Sequence, residues 1–275
     1  MDDGPVLYDS HMHTPLCKHA RGEPEEYAWV AQQRGLKGIV FTCHNPIDDG
    51  LSAGVRMDLA ELDTYVEMVA RARGAWEGEV DVRLGIESDY APGMEPWLER
   101  LHGMAEFHHV LGSVHPHLLY YQEGYFDGDI LNYQHTYFEH LAMAAETGLF
   151  DTVAHPDLVK NSAPSEWDPE RIMDVIRQCL DRIAATDTAM ELNTSGMHKR
   201  VSEMNPGPLI LAGMRRRDIP VVLGSDAHVP EHVAAAFEEA LDRLVAAGYT
   251  QVDTVVDRKR TALPIAIARK SLRGV

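Results

Sequence analysis

The chain has 275 residues, 45% of them hydrophobic and 25% charged, enough apolar material for a sizeable core and too much for a disordered chain. Its 25 basic and 43 acidic residues leave a net charge of −18, which repels phosphate backbones and anionic lipid. Nucleic acid and membrane surfaces are therefore excluded as expected partners. The three cysteines, Cys17, Cys43 and Cys179, are odd in number and scattered, so no disulfide framework is implied. The acidic opening Met1-Asp2-Asp3-Gly4-Pro5 lacks a signal-peptide pattern, and no apolar run approaches the ~18 residues of a membrane helix. A cytoplasmic protein is expected, of open oligomeric state.

Short β-branched runs alternate with longer amphipathic stretches. In chain order the predicted strands are Val6–Asp9, Gly38–Thr42, Val82–Ile86, His109–Ser113, Thr152–Ala154, Ala189–Leu192 and Pro220–Gly224. Between them helix patterns fall near residues 24–34, 58–74, 95–107, 130–147, 169–186, 206–217 and 231–247. Pro24, Asp58 and Asp168-Pro169 supply start signals; Gly35, Gly74, Gly148 and Gly248 supply stops. The tail adds two candidate strands, Val252–Val256 and Thr261–Ile265, about an Asp257–Arg260 turn. Strand–helix alternation without a composition break predicts one α/β domain over 1–275, a closed or nearly closed barrel in preference to an open doubly wound sheet.

The strand ends decide for the barrel. They carry His11-Met12-His13, Cys43-His44, Glu87-Ser88-Asp89, His115, His155-Pro156-Asp157 and Asp226-Ala227-His228. In a barrel these ends converge on one face, and residues two apart on a strand point the same way. With His19 in the loop after strand one, seven His and two carboxylates (Glu87 and Asp226) can converge. A catalytic ion takes about three protein ligands, so two to three divalent transition-metal ions (Zn, Mn or Fe) are expected, with Glu87 able to bridge. Single histidines such as His102, His108, His117, His135, His140 and His232 read as core or capping residues, His117 and Asp157 also as supports behind ligands. Lys160 and His198-Lys199-Arg200 follow strands five and six and are the candidate substrate contacts, basic groups suited to a small anion.

These motifs resemble a known family. His11-Met12-His13-Thr14-Pro15-Leu16-Cys17-Lys18-His19-Ala20, with His44-Asn45-Pro46, Gly85-Ile86-Glu87, Gly112-Ser113-Val114-His115, Glu191-Leu192-Asn193-Thr194-Ser195-Gly196 and Gly224-Ser225-Asp226-Ala227-His228, is similar to the histidinol phosphatases of the polymerase and histidinol phosphatase superfamily. The resemblance covers roughly residues 7–247. It implies a distorted (β/α)7 TIM-like barrel with its metal site at the C-terminal ends of the strands, and hydrolysis of a small phosphomonoester, histidinol phosphate, in histidine biosynthesis. By position it implies one ion on His11, His13, Glu87 and Asp226, a second on Glu87, His115 and His155, and a third on His19, His44 and His228. Cys43 departs from the family's usual Asp, and His198 from its usual Arg.

The chemistry expected follows from charge. A phosphate dianion repels hydroxide, and bound ions both neutralise it and lower the pKa of water. Asp226 and His228 are the candidates for protonating the leaving alkoxide, and Asp89, Asp157 and Glu191 for pairing with the substrate ammonium. Two other readings stand beside this one: a phosphoesterase acting on nucleotides or short oligonucleotides, and a non-catalytic metal-binding protein.

Overall fold

The computed structural model describes residues 4–47 and 49–274. Met1–Asp3, on which the expectation about a leader rests in part, lie outside the described residues. Among the described residues, nine strands form one sheet in chain order: β1 (Tyr8–Asp9), β2 (Gly38–Phe41), β3 (Asp81–Asp89), β4 (His109–Ser113), β5 (Thr152–Val153), β6 (Ala189–Asn193), β7 (Val221–Gly224), β8 (Gln251–Val256) and β9 (Lys259–Pro264). All pairs from β1 to β8 are parallel, and β9 returns antiparallel on β8. β2, β4, β6 and β7 are buried along their whole length, the signature of a parallel sheet covered on both faces.

The sheet curls into a distorted TIM-like barrel whose ring, among the described residues, is laced at one end only. Just past β1, Ser10 N–H donates to Leu223 O at 3.2 Å, His13 N–H to Ala227 O at 2.9 Å, and Met12 bridges Ala227. On the opposite side of β7, Val222 pairs with Asp253 of β8, so the sheet continues past the seventh strand into the tail hairpin.

Among the described residues, nine α-helices clothe the sheet: α1 (Pro24–Gln33), α2 (Leu62–Ala75), α3 (Glu95–His102), α4 (Leu119–Tyr125), α5 (Ile130–Glu146), α6 (Met173–Ala184), α7 (Pro208–Arg215), α8 (Phe237–Ala247) and α9 (Ile265–Ser271). Glu23 and Glu26 close a reciprocal cap on α1, and Asp129 caps α5 through Leu131 and Asn132 N–H. Most predicted elements are present, with shifted ends. Gly74 lies inside α2 and not at its stop; the left-handed residue that turns the chain is Gly78, at φ 83°. β3 runs three residues beyond its predicted end, so Glu87 is a strand residue held by backbone bonds to Cys43 and Asn45. Neither α4 nor α9 has a clear apolar period. α4 is fixed by aromatic packing, Tyr121 stacking against Tyr125 and Tyr133 with its hydroxyl 2.8 Å from His140 Nδ1.

Candidate metal centre

Glu87 is the hub. Fully buried on β3, its Oε1 lies 2.8 Å from His155 Nε2 and 3.4 Å from His115 Nε2. Its Oε2 lies 2.8 Å from His44 Nδ1, 3.5 Å from His11 Nε2 and 3.8 Å from His13 Nε2. Asp226, past β7, places Oδ1 3.1 Å from His13 Nε2 and 3.8 Å from His11 Nε2. His19 and His228 meet at the outer edge, Nε2 to Nε2, at 2.9 Å. All nine side chains singled out in the sequence thus come together at the laced end of the barrel.

Buried carboxylates and carbonyls hold the far sides of the rings. Glu191 accepts from His11 Nδ1 at 2.8 Å, from His155 N–H at 2.8 Å and from Asn193 Nδ2 at 3.0 Å. Asp89 accepts from His115 Nδ1 at 2.8 Å and is itself gripped by Arg56 at 2.9 Å and the Tyr120 hydroxyl at 2.9 Å. His19 and His228 set their Nδ1 atoms against the carbonyls of Cys17 and Asp226. A ring that donates through one nitrogen keeps the lone pair of the other for an ion. His155 and Asp226 sit at φ 29° and 50°, left-handed backbone that costs non-glycine residues about 1–3 kcal/mol and that buried neighbours must enforce.

Charge follows the same geometry. Burial alone would push the Glu87 carboxyl up, yet His44, His11 and His115 hold it well below the ordinary range. Lys199, His11 and His13 do the same for Asp226 against its burial. Burial would neutralise His115, but Asp89 and Glu87 raise it to about 9. Burial and neighbouring imidazoles drive His228 down to about 3 and His44 well below its usual value.

Do these residues suit metal ions? His11 Nε2, His44 Nδ1 and Glu87 Oε2 are buried atoms without hydrogen-bond partners, all pointing at one another. Such atoms cost about 1–3 kcal/mol each unless something fills the gap between them. Donor triplets within 4.8 Å of one another include His11–His13–Asp226, His44–Glu87–His115, His13–His44–His228 and Cys17–His19–His228. The donor set fits borderline divalent cations.

Several expectations need correction. Lys160 is fully buried, its Nζ spent on Asp157 Oδ2 (3.2 Å), Glu203 Oε1 (3.3 Å) and Met204 O (2.9 Å), so it is a structural cation and no free phosphate contact. Arg200 is exposed and reaches back to Asn161 O at 3.4 Å, and His198 stacks on His232 at the surface. Lys199 does reach the centre, its Nζ 3.4 Å from Asp226 Oδ2. Asp89 and Glu191 face ligand histidines, and Asp157 faces Lys160 and Gly207 N–H, so none is a free partner for an ammonium. His117 is exposed and stands edge-on to His115 with ring centres 5.5 Å apart. Sequence reasoning missed Arg56, a buried guanidinium in a polar loop that ties Asp89 to Asn45, and Ser195, whose hydroxyl lies 2.8 Å from Asp226 Oδ2. No local pattern marked Arg56; Ser195 lay within the Asn-Thr-Ser-Gly turn.

Residues 9–195 match the PHP domain family model. The chain belongs to the PHP family. A probable histidinol-phosphatase of Deinococcus radiodurans is 37% identical to this PHP protein over 247 residues, covering 86% of this chain and 92% of that one. The histidinol-phosphatase of Bacillus subtilis is 26% identical over 266 residues, covering 86% and 98%. Among solved structures, the histidinol phosphate phosphatase of Lactococcus lactis, complexed with Zn, L-histidinol and phosphate, superposes with a TM-score of 0.78 at 17% identity, covering 93% of this chain and 98% of that one. At that identity the likeness shows the PHP fold alone. No helix among the described residues of this PHP chain is long and apolar enough to cross a membrane.

Proposed function

We propose that this PHP protein hydrolyses L-histidinol phosphate to L-histidinol and phosphate, using two to three divalent ions held by His11, His13, His19, His44, Glu87, His115, His155, Asp226 and His228. One observation carries the reading: Glu87 lies among five imidazoles with buried, unpartnered donor atoms facing each other. The relatives' names supply the substrate. When bound, such ions supply a nucleophilic water at neutral pH and neutralise phosphoryl charge.

The chain's own groups do the rest. Glu191 and Asp89 fix the tautomers of His11 and His115, and the buried surroundings keep bulk water from competing for the donors. Lys199, at the rim, adds the positive charge nearest to the carboxylate end of the site and is the residue placed to meet a phosphate dianion. Asp226 is held ionised and His228 neutral, charge states that suit ligands better than resting proton donors. A cytoplasmic location and a single domain complete the reading.

The test is phosphate release from L-histidinol phosphate, p-nitrophenyl phosphate and a dinucleotide, with and without a chelator. Histidinol phosphate should lead p-nitrophenyl phosphate by on the order of a hundredfold in kcat/KM, since polar site groups left unpaired penalise the analogue. Chelation should abolish turnover. Equal efficiencies, or preference for the dinucleotide, would replace this reading with the nucleotide phosphoesterase.

A further inference from the structure

Resting on the metal reading of the site, we propose that Asp9 is a positioning residue for the ions: its one buried carboxylate clamps both ends of the loop that carries Asp226 and His228. Asp9 is the last residue of β1 and is fully buried. Its Oδ1 accepts from Ser225 N–H at 2.9 Å and from His11 N–H at 3.3 Å. Its Oδ2 accepts from the Ser225 hydroxyl at 2.5 Å and from Ala234 N–H at 2.7 Å. Ser225 directly precedes Asp226, and Ala234 lies six residues beyond His228. Two points on either side of the loop are thus fixed to the strand that leads into His11 and His13.

Burying a carboxylate away from a cation is costly unless hydrogen bonds compensate it. Among the described residues no lysine or arginine forms an ion pair with Asp9; three main-chain N–H groups and one hydroxyl satisfy it. An N–H group cannot reverse its role, so the carboxylate fixes backbone directly. The loop needs such a hold, because Asp226 and Ala234 adopt φ 50° and 53°, left-handed conformations that neighbours must enforce. Asp9 grips the residue before the first and the second itself. Released from it, Asp226 would lose its place 3.1 Å from His13 Nε2. His44, Glu87 and His115 come from the ends of β2, β3 and β4 and form a donor triplet of their own, so the clamp acts selectively on ions that need Asp226 or His228. Asparagine at position 9 keeps the shape but turns one oxygen into NH2. That NH2 settles at the Oδ2 position, since the Oδ1 position faces two N–H groups. The Ser225 hydroxyl can turn to accept from it; Ala234 N–H cannot, and the far end of the loop comes free.

Zinc titration of metal-free protein against a chromophoric chelator tests this without reference to turnover. Wild type should take two to three tight equivalents, roughly one per three donors. Asp9→Asn, folded by circular dichroism, should keep at least one equivalent at wild-type affinity and bind the rest about 10- to 100-fold more weakly, the usual range for a lost partner behind a ligand. Val69→Ala, a truncation of a fully buried residue on α2, should lower Tm yet keep every equivalent, which separates positioning from loss of stability. A folded Asp9→Asn protein with the wild-type isotherm, one in which all equivalents weaken alike, or loss of the same equivalents in Val69→Ala overturns the clamp while leaving the metal centre standing. Fewer than two tight equivalents in wild type overturns the metal reading itself. Should Asp9→Asn fail to fold, Ser225→Ala decides. It removes only the hydroxyl donor from Oδ2 and should weaken the same subset of ions by a smaller factor; an unchanged isotherm refutes the clamp.

Discussion

Glu191→Gln is the most discriminating single change at this site, because it alters one atom and keeps the shape. In the wild type Oε1 takes the His11 Nδ1 proton, and Oε2 takes two donors, His155 N–H and Asn193 Nδ2. Glutamine has only one oxygen, and placing its NH2 at the Oε2 position would set a donor against two donors. The amide therefore turns its oxygen to His155 and Asn193 and its NH2 to His11. His11 must then accept at Nδ1, which puts its proton on Nε2, the atom that faces Glu87 Oε2 and the ions. Metal affinity should fall by about 10- to 100-fold, the usual effect of losing a partner behind a ligand histidine, or roughly 1.4–2.8 kcal/mol. Competition titration of zinc against a chelator measures this directly, and raising free zinc should restore part of the turnover. Wild-type affinity in a folded Glu191→Gln protein would refute the tautomer argument and with it the role given to Glu191.

Gly224→Ala should lower both Tm and zinc affinity, because its methyl would sit 1.9 Å from Glu191 Oε1 and 2.7 Å from His11 Cβ; overpacking of this kind costs about 1–3 kcal/mol. Gly74→Ala, in open space on α2, should instead raise stability by up to about 1 kcal/mol in denaturant unfolding. Arg56→Ala strands the buried Asp89 carboxylate and should cost on the order of 3–5 kcal/mol, with Tm as the readout; a change under 1 kcal/mol would show that the pair is dispensable. In metal-free protein, His115 contributes stability below its unfolded pKa of 6.5 that is lost as pH rises through about 9. Thermal unfolding of the chelated protein should therefore weaken across that window, and the zinc-loaded protein should not follow, since the ion replaces the proton.

What could be read from the sequence was what period and spacing encode. His11 with His13, and Asp226 with His228, lie two apart beside short apolar runs, so their convergence needed only the barrel rule. Glu87 was legible as a hub because Gly85-Ile86 carried the strand into it. What stood behind the ligands was not legible. Asp89 and Glu191 looked like free acids at the mouth, yet each is spent on a histidine ring whose direction no spacing reveals. Lys160 looked like a phosphate contact for the same reason; its burial against Asp157 and Glu203 depends on how the loops after β5 and β6 fold together. Arg56 is the sharpest omission, a lone charge in a polar loop that only the folded chain carries inward to Asp89.

The lacing of β1 to β7 has a consequence for how the protein is made. The bonds that complete the ring come from residues 10–13 and 223–227, the segments that also bear His11, His13 and Asp226. A chain emerging from the ribosome exposes its first histidines long before their partners exist. Until the segment through His228 has left the exit tunnel, the N-terminal strand has no seventh strand to meet and no donor triplet containing Asp226 or His228 can assemble. Such late, long-range closure is slow by nature. Nascent chains arrested before β7 should therefore lack the ions that need Asp226 or His228, whereas chains arrested after His228 should gain them in the same step that shuts the ring.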